Sequence, residues 1–312
     1  MLIADCIKAL SDLRRPVQKS AEPVLRAAVF SDTHITGALY RRLILIPGLR
    51  KLPKFGPDLL IFAGDCTDNG NEKNWDGFTR TVRKHCRIKD MLVAIGNHDT
   101  WLSYDTPHDF APAKENYLKN ANLLMGTQNE EVFFSYEKHG VPFLVLGTEG
   151  TGVGEALTAR QLDWLEEALR KASAEHPGRP VIVINHHPMN FTHGVGENEH
   201  GMGIEENGMS ERLQSILDEH ENVLYLCGHI HFGFHTEGRF ATVQRVGRHI
   251  TSVCLPCYEY GEIFNGKYRS PGDPLIGAGL IMDIGETKIT LRGANFLHGK
   301  EIKGFSAEFP IG

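Results

Sequence analysis

Five apolar runs of this chain each end in a short polar cluster, and the residue types in those clusters are ones that bind metals. LRAAVFSD leads into Asp32-Thr33-His34. DLLIFAGD ends in Gly64-Asp65, with Asp68 three residues on. MLVAIGNHD ends in Gly96-Asn97-His98-Asp99, PVIVINHHP in Asn185-His186-His187-Pro188, and VLYLCGHIH in Gly228-His229-Ile230-His231. Carboxylate oxygen with neutral imidazole suits Mn, Fe, Zn or Co, whereas an all-oxygen set suits Mg or Ca. Taken singly, each cluster has an ordinary reading: Gly-Asp and Gly-Asn-His-Asp are turn sequences, and His-His-Pro ends a strand. Coincidence does not account for all five in one order, each at the same end of an apolar run. Histidines at i and i+2, as in His229 and His231, cannot both face a core on a strand without partners, but they can share a site in a loop.

The elements that must position these residues are the runs themselves. Short, continuously apolar and bounded by Gly or polar residues, they read as buried strands. In open α/β sheets ligands bind outside the carboxyl ends of the strands. Neighbouring strands would therefore bring two aspartates, an asparagine and four histidines together. A sixth run, VPFLVLGTEG, ends in Thr148-Glu149 instead, and with FFSYEKHG it reads as a hairpin through His139-Gly140. Helices are expected over Tyr40 to Leu52 with a break or bend at Pro47, over Asn71 to Cys86, and over Pro112 to Asn120. Another starts at Thr158, with Thr158 and Gln161 as a capping box and Leu162, Leu165, Leu169 and Ala172 on one face. A further helix follows Ser210 as its cap. Beyond Gly247 the pattern turns β-like, with a hairpin at Gly285-Glu286. The expected organisation is a short arm over residues 1–24 and a single α/β domain over 25–312 with a β-rich C-terminal portion.

Composition narrows the class. The 312 residues, 41% hydrophobic and 23% charged, are ordinary globular usage and exclude a disordered or membrane-dominated chain. A formal net charge of −6 gives no broad pull toward nucleic acid. Six cysteines are too sparse for a disulfide framework in a chain this long. Cys254 and Cys257 form a CxxC without a second pair, so a zinc or redox role is not expected of them. No apolar run reaches about 18 residues and the first residues do not read as a signal peptide, so the expectation is a cytoplasmic enzyme that makes no membrane contact.

The ordered set D-x-H, G-D-x-x-D, G-N-H-D, H-H-P and G-H-x-H resembles the calcineurin-like metallophosphoesterase superfamily, with every slot filled between Asp32 and His231. LTARQLDWLEEAL is similar to the helix that often precedes the H-H-P strand in the cyclic-nucleotide and glycerophosphodiester phosphodiesterase-like branch. The resemblance implies an α/β fold, a four-layer α-β-β-α sandwich of two mixed β-sheets flanked by helices. It also implies two divalent or transition metal ions, Mn, Fe, Zn or Co. Asp32, His34 and His231 would hold the first and Asn97, His186 and His229 the second, with Asp65 bridging. His187 would pack behind the ligands or in the core. His98 would stand near the leaving oxygen as general acid or charge-stabilising donor, with Asp68 accepting its other N–H. Two such metals lower the pKa of a bound water toward about 7, and the resulting hydroxide attacks phosphorus in line.

The expected activity is hydrolysis of a small-molecule phosphoester, a diester by resemblance to that branch. A phosphomonoesterase or a nuclease of the same fold is the alternative, and metal-assisted hydrolysis of a non-phosphate bond also stays open. The chain lacks the G-D-x-x-D-R-G and G-N-H-E forms of protein phosphatases, because Asn69 follows Asp68 and Asp99 follows His98. A non-catalytic scaffold is disfavoured, since such relatives lose ligands and none is missing here. The long Gly-rich segment from Met189 to Gly208 is expected to be functional, with Asn190, His193 and His200 as substrate-pocket candidates. The aromatic stretch 256–274 would pack on the site or form a subunit interface; the oligomeric state is left open. The expected partner is a small phosphoester substrate, not nucleic acid.

Overall fold

The computed structural model describes residues 11, 13, 23–37, 39–103, 109–150, 157–195, 203–204, 208–234, 242–259, 261–264, 269–273 and 276–311. His200 and most of the expected N-terminal arm lie outside them. Two six-stranded mixed sheets face each other. The first has the order β14-β13-β12-β1-β2-β3 and the second β4-β5-β6-β7-β9-β8. In the first, β1 (Leu25–Phe30), β2 (Leu59–Ala63) and β3 (Met91–Ala94) are parallel. β12 (Ala278–Ile284), β13 (Lys288–Asn295) and β14 (Lys300–Pro310) extend it antiparallel. In the second, β5 (Val141–Val145), β6 (Val181–Ile184), β7 (Val223–Cys227) and β9 (Ile250–Cys254) are parallel. Its edges, β4 (Phe134–Lys138) and β8 (Val243–Val246), are antiparallel. A separate ribbon pairs β10 (Gly261–Phe264) with β11 (Arg269–Asp273).

Continuous apolar strands arise because both faces of each sheet are covered. Alternate residues of β1 divide between two cores: Leu25, Ala27 and Val29 meet Phe143, Ile184 and Leu226 of the other sheet, while Ala28 and Phe30 face the helices. Helices α1 (Leu39–Lys51), α2 (Glu72–His85) and α3 (Phe110–Met125) cover the first sheet. Helices α4 (Ala159–Glu175) and α5 (Met209–Asp218) cover the second through Leu162, Leu165, Leu169, Leu213 and Leu217. Four layers result, as expected. The hairpins at His139-Gly140 and Gly285-Glu286 form as read.

The helix ends show where local signals were overruled. Asn71 caps α2 by accepting from Asn74 N, and Glu72 at its start and Arg83, Lys84 and His85 at its end complement the helix dipole. α1 is not broken at Pro47, because Leu45, Leu49 and Leu52 hold it on the core. α3 is longer than expected at both ends, running from its Asp109 cap to a left-handed Gly126. Thr158 caps α4, but Gln161 does not complete the capping box: its amide pairs with both main-chain groups of Gly147, at 3.0 and 2.7 Å. Gly208, not Ser210, is the cap of α5. The Ser210 hydroxyl instead accepts from Asn190 N at 2.8 Å.

Candidate metal centre

The loops leaving β1, β2, β3, β6 and β7 meet at one end of the sandwich. Nine non-glycine residues of the described set have positive φ, and five belong to the Asp/His clusters past the strands: Asp32 (55°), His34 (42°), Asp65 (48°), His229 (72°) and His231 (53°). A left-handed backbone is unfavourable for such residues and persists where the surroundings over-determine it, as at functional sites. Here loop-to-loop hydrogen bonds fix it. Asp32 N donates to the Gly64 carbonyl (3.2 Å), His34 N to that of Asp65 (3.0 Å), and Gly228 N to that of His186 (2.8 Å). Side chains tie the two sheets together: His186 Nδ1 lies 2.9 Å from the Ala63 carbonyl, and His229 N donates to the Asp32 carboxylate at 3.2 Å. The motif glycines follow from this crowding. A Cβ on Gly64, which has φ 92°, would strike the His186 ring, and one on Gly96 would strike the Asp65 carboxylate and main chain.

Two buried donor groups form around one shared residue. Asp32, His34, Asp65 and His231 make one; Asp65, His186 and His229 make the other. Asn97 joins the second, its Oδ1 2.9 Å from His229 Nδ1. Asp65 Oδ1 is anchored by His98 N at 2.9 Å. Its Oδ2 pairs with His186 Nε2 at 3.0 Å, and neither buried atom has another partner among the described residues. His34 Nε2 and His231 Nε2 face each other at 3.0 Å, and His231 Nε2 is 3.2 Å from Asp32 Oδ1. Buried donor atoms crowded together in this way, from oxygen and imidazole nitrogen, fit two borderline divalent cations.

Charge balance in the cluster sets the protonation of its members. Burial pushes the Asp32 and Asp65 carboxyls up, but His231 and His186 respectively outweigh it, so both stay below the usual range. Burial, reinforced by His98 and His231, holds His34 well below the ordinary histidine value. For His186 burial opposes the charge, yet Asp65 and Asp32 dominate and its pKa rises to about 10. Asp99 is lifted to about 7 by burial and by Asp65, despite its hydrogen bonds. It accepts from Cys66 N, Thr67 N, Thr67 Oγ1 and Gly96 N, and so locks the β2 and β3 loops together.

His98 lies beside this cluster, its ring edge-on to His34 (centroids 4.6 Å apart) and tilted over Trp101 (4.3 Å). His98 Nδ1 lies 3.0 Å from the Asp68 main-chain carbonyl, and the Asp68 carboxylate forms a third donor group with His98 and His34. The Asp68 carboxylate accepts from Arg41 Nη1 at 2.7 Å. Of the pocket candidates, Asn190 and His193 lie among the described residues. The Asn190 amide pairs with both main-chain groups of Ile204, at 2.8 and 3.1 Å, fastening the segment after β6 to itself. His193 is fully buried, its Nε2 2.8 Å from Ser252 Oγ, under the second sheet. His187 is buried against the His229 ring, with centroids 4.3 Å apart.

Sequence reasoning missed three neighbours of the site. Arg41 donates to the His34 carbonyl (2.7 Å) and to Asp68, and its Nε pairs with Glu259 Oε1 (2.9 Å). Cys257 forms a possible donor group with His34 and His231, and its Sγ donates to the Asp32 carbonyl at 3.4 Å. Its CxxC partner Cys254 instead stands in register with Cys227 on the adjacent strand.

A two-sheet α/β sandwich with paired Asp/His donor groups at its strand ends is the architecture of a metal-dependent phosphoester hydrolase. The chain belongs to the calcineurin-like phosphoesterase family, whose sequence model matches residues 25–233. A probable glycerophosphodiester phosphodiesterase GpdQ of Arcobacter nitrofigilis is 30% identical over 229 residues, 64% of this chain and 70% of that protein. Acid phosphatase type 7 of Homo sapiens is 27% identical over 183 residues, 56% of this chain but only 38% of that protein. Purple acid phosphatase PPD1 of yellow lupin (Lupinus luteus) shares the fold, with a TM-score of 0.59 at 15% identity over 95% of this chain and 55% of that one. This chain thus spans about half the length of the lupin protein. Among the described residues no helix is long and apolar enough to cross a membrane.

Proposed function

We propose that this chain hydrolyses small-molecule phosphodiesters at a centre of two divalent cations, with residues 25–312 as one catalytic domain. The observation that carries the reading is that Asp65 is common to both donor groups. A shared carboxylate is what a pair of cations about 3.5–4 Å apart requires. Asp32, His34 and His231 are assigned to the first cation, Asn97, His186 and His229 to the second, and Asp65 to both. When bound, the pair would acidify a water and neutralise phosphate oxygens, with Mn, Fe, Zn or Co as candidates.

The chain's own residues supply the rest. The neutral amide of Asn97 holds down the negative charge of the site, so an anionic ester is not repelled. The Asp65 carboxylate is oriented by His98 N, so both donor groups keep their geometry together. His98 is the proton donor to the leaving oxygen. With Nδ1 donating to the Asp68 carbonyl, the transferred proton leaves from Nε2 of the imidazolium. Asp68 acts through its main chain on His98 and through its carboxylate on Arg41.

The diester preference is supported by the diesterase relative, and the absence of the protein phosphatase motif forms disfavours a protein phosphatase. A panel of bis(4-nitrophenyl) phosphate, 4-nitrophenyl phosphate, cyclic nucleotides, glycerophosphodiesters and nucleotide sugars, assayed with Mn²⁺, tests it. Diesters are expected to exceed monoesters at least tenfold in kcat/KM. The reverse order would support the monoesterase reading that the acid phosphatase relative suggests.

A further inference from the structure

Helix α1 is apolar on its exposed side as well as on its buried one. Leu45 and Leu49, with Leu52 just beyond the helix, are buried against the first sheet. On the opposite side, at helical spacing, Leu39 and Leu43 are 62% and 56% exposed, and Ile46 and Pro47 are half-buried. A helix on a domain surface ordinarily turns a polar face to water, and an apolar outer stripe marks an interaction site. The charges around this stripe are all of one sign, because residues 39–54 include no Asp or Glu. Arg41 is taken by Asp68 and Glu259. Among the described residues the other cations meet no carboxylate: Arg42 donates to the Gly37 carbonyl, Arg50 faces the His85 ring, Lys51 donates to the Leu297 carbonyl, and Lys54 is exposed. The positive region extends past the helix. Burial and then Arg50 and Lys84 hold the His85 imidazole below its ordinary value, as burial and then Lys51 and Lys300 do for His298.

We propose that this face docks the protein on an anionic phospholipid bilayer. The helix lies in the plane of the interface, Leu39, Leu43 and Ile46 enter the headgroup boundary, and Arg42, Arg50, Lys51 and Lys54 meet lipid phosphates. The expectation of no membrane contact followed from the lack of a spanning run, and a helix lying on the surface needs none. Bulk charge does not supply the attraction, since the chain carries −6 overall; the local sign is opposite. A second copy of the chain suits the stripe less well, because a two-fold contact would set these cations against their own equivalents. The loop bearing Asp32 and His34 runs directly into α1, so a docked molecule carries the candidate centre beside the headgroups. The docking itself stands apart from the phosphoester reading.

The test uses the full chain, loaded with Mn²⁺ and freed of excess metal, and co-sedimentation with vesicles of phosphatidylcholine alone or with about 30% phosphatidylserine. The wild type should bind the phosphatidylserine vesicles about tenfold or more tightly than phosphatidylcholine alone, and about 0.5 M salt should release most of it. Leu39→Ser with Leu43→Ser, and separately Arg50→Ser with Lys54→Ser, should each weaken binding about tenfold or more. These four side chains are exposed, so an unchanged circular dichroism spectrum is expected of both variants. Leu123→Ser, which alters a leucine of similar exposure (53%) on α3, should bind as the wild type does. No wild-type binding to either vesicle, or equal binding by the wild type and both double variants, overturns the proposal. So does a wild type that sediments as a dimer while the Leu39/Leu43 variant is a monomer, which would assign the stripe to a second copy.

Discussion

If His186 holds a cation as proposed, loading the centre displaces a proton from it. Burial resists its charge, but Asp65 Oδ2 at 3.0 Å and Asp32 Oδ1 at 3.8 Å outweigh burial and hold its pKa at about 10. At pH 7 the protonated ring then exceeds the neutral one by about 10³, which opposes a cation at Nε2 by ~4 kcal/mol. Asp32 and Asp65, held low, and His34, held low, are already in their ligand forms and release nothing. Affinity should therefore climb about tenfold per pH unit between pH 8 and 9, above the range in which Asp99 and Glu259 titrate near 7. Calorimetric titration of chelator-treated protein with Zn²⁺, in buffers of different ionisation enthalpy, counts the protons. The wild type should release about one more proton than His186→Ala, the difference cancelling any proton lost from coordinated water. Equal proton release by the two proteins, with an affinity that is flat from pH 8 to 9, would refute the reasoning.

Other expectations bear on separate parts of the site. Asp65→Asn should lower diester hydrolysis by about 10³ or more and reduce metal content, measured by steady-state kinetics and elemental analysis; full activity would remove Asp65 from the bridging role. Gly96→Ala should cost at least tenfold in metal affinity with the fold intact by circular dichroism, because its Cβ displaces Asp65. His98→Ala should lose more rate on esters with poor leaving groups than on nitrophenyl esters; equal losses would argue against proton donation. In chelator, the stability advantage of wild type over His186→Ala should shrink as pH rises from 6.5 to 8.5, because the raised His186 favours the folded protein below about pH 6.5 and loses that advantage by about pH 10. An advantage that grows over that interval contradicts the assignment.

The strand ends were legible because burial on both faces makes a strand continuously apolar, so the polar residues that follow it stand out. Asp32, Asp65, Asn97 and His229 are each the first or second polar residue past such a run, and chain order alone placed them at one end of the sandwich. Arg41 and Glu259 carried no comparable signal, one from a helix and one from the loop after β9, meeting only in three dimensions. Asn190 and His193 read as pocket candidates because they follow His186 in a polar, Gly-rich segment. Their polar atoms are used to fasten that segment to Ile204, Ser210 and Ser252. Gln161 shows the same competition: the Gly147 main chain, leaving β5, needed a partner and took the amide that the capping motif assigned to Thr158.

The central claim is a pair of cations sharing Asp65, and it is tested most directly by titrating metal-free protein with Mn²⁺ while bound metal and bis(4-nitrophenyl) phosphate hydrolysis are measured on the same samples. Two ions per chain are expected at saturation, with activity following occupancy of the weaker site. Hydrolysis at full rate with one ion or none per chain would contradict it.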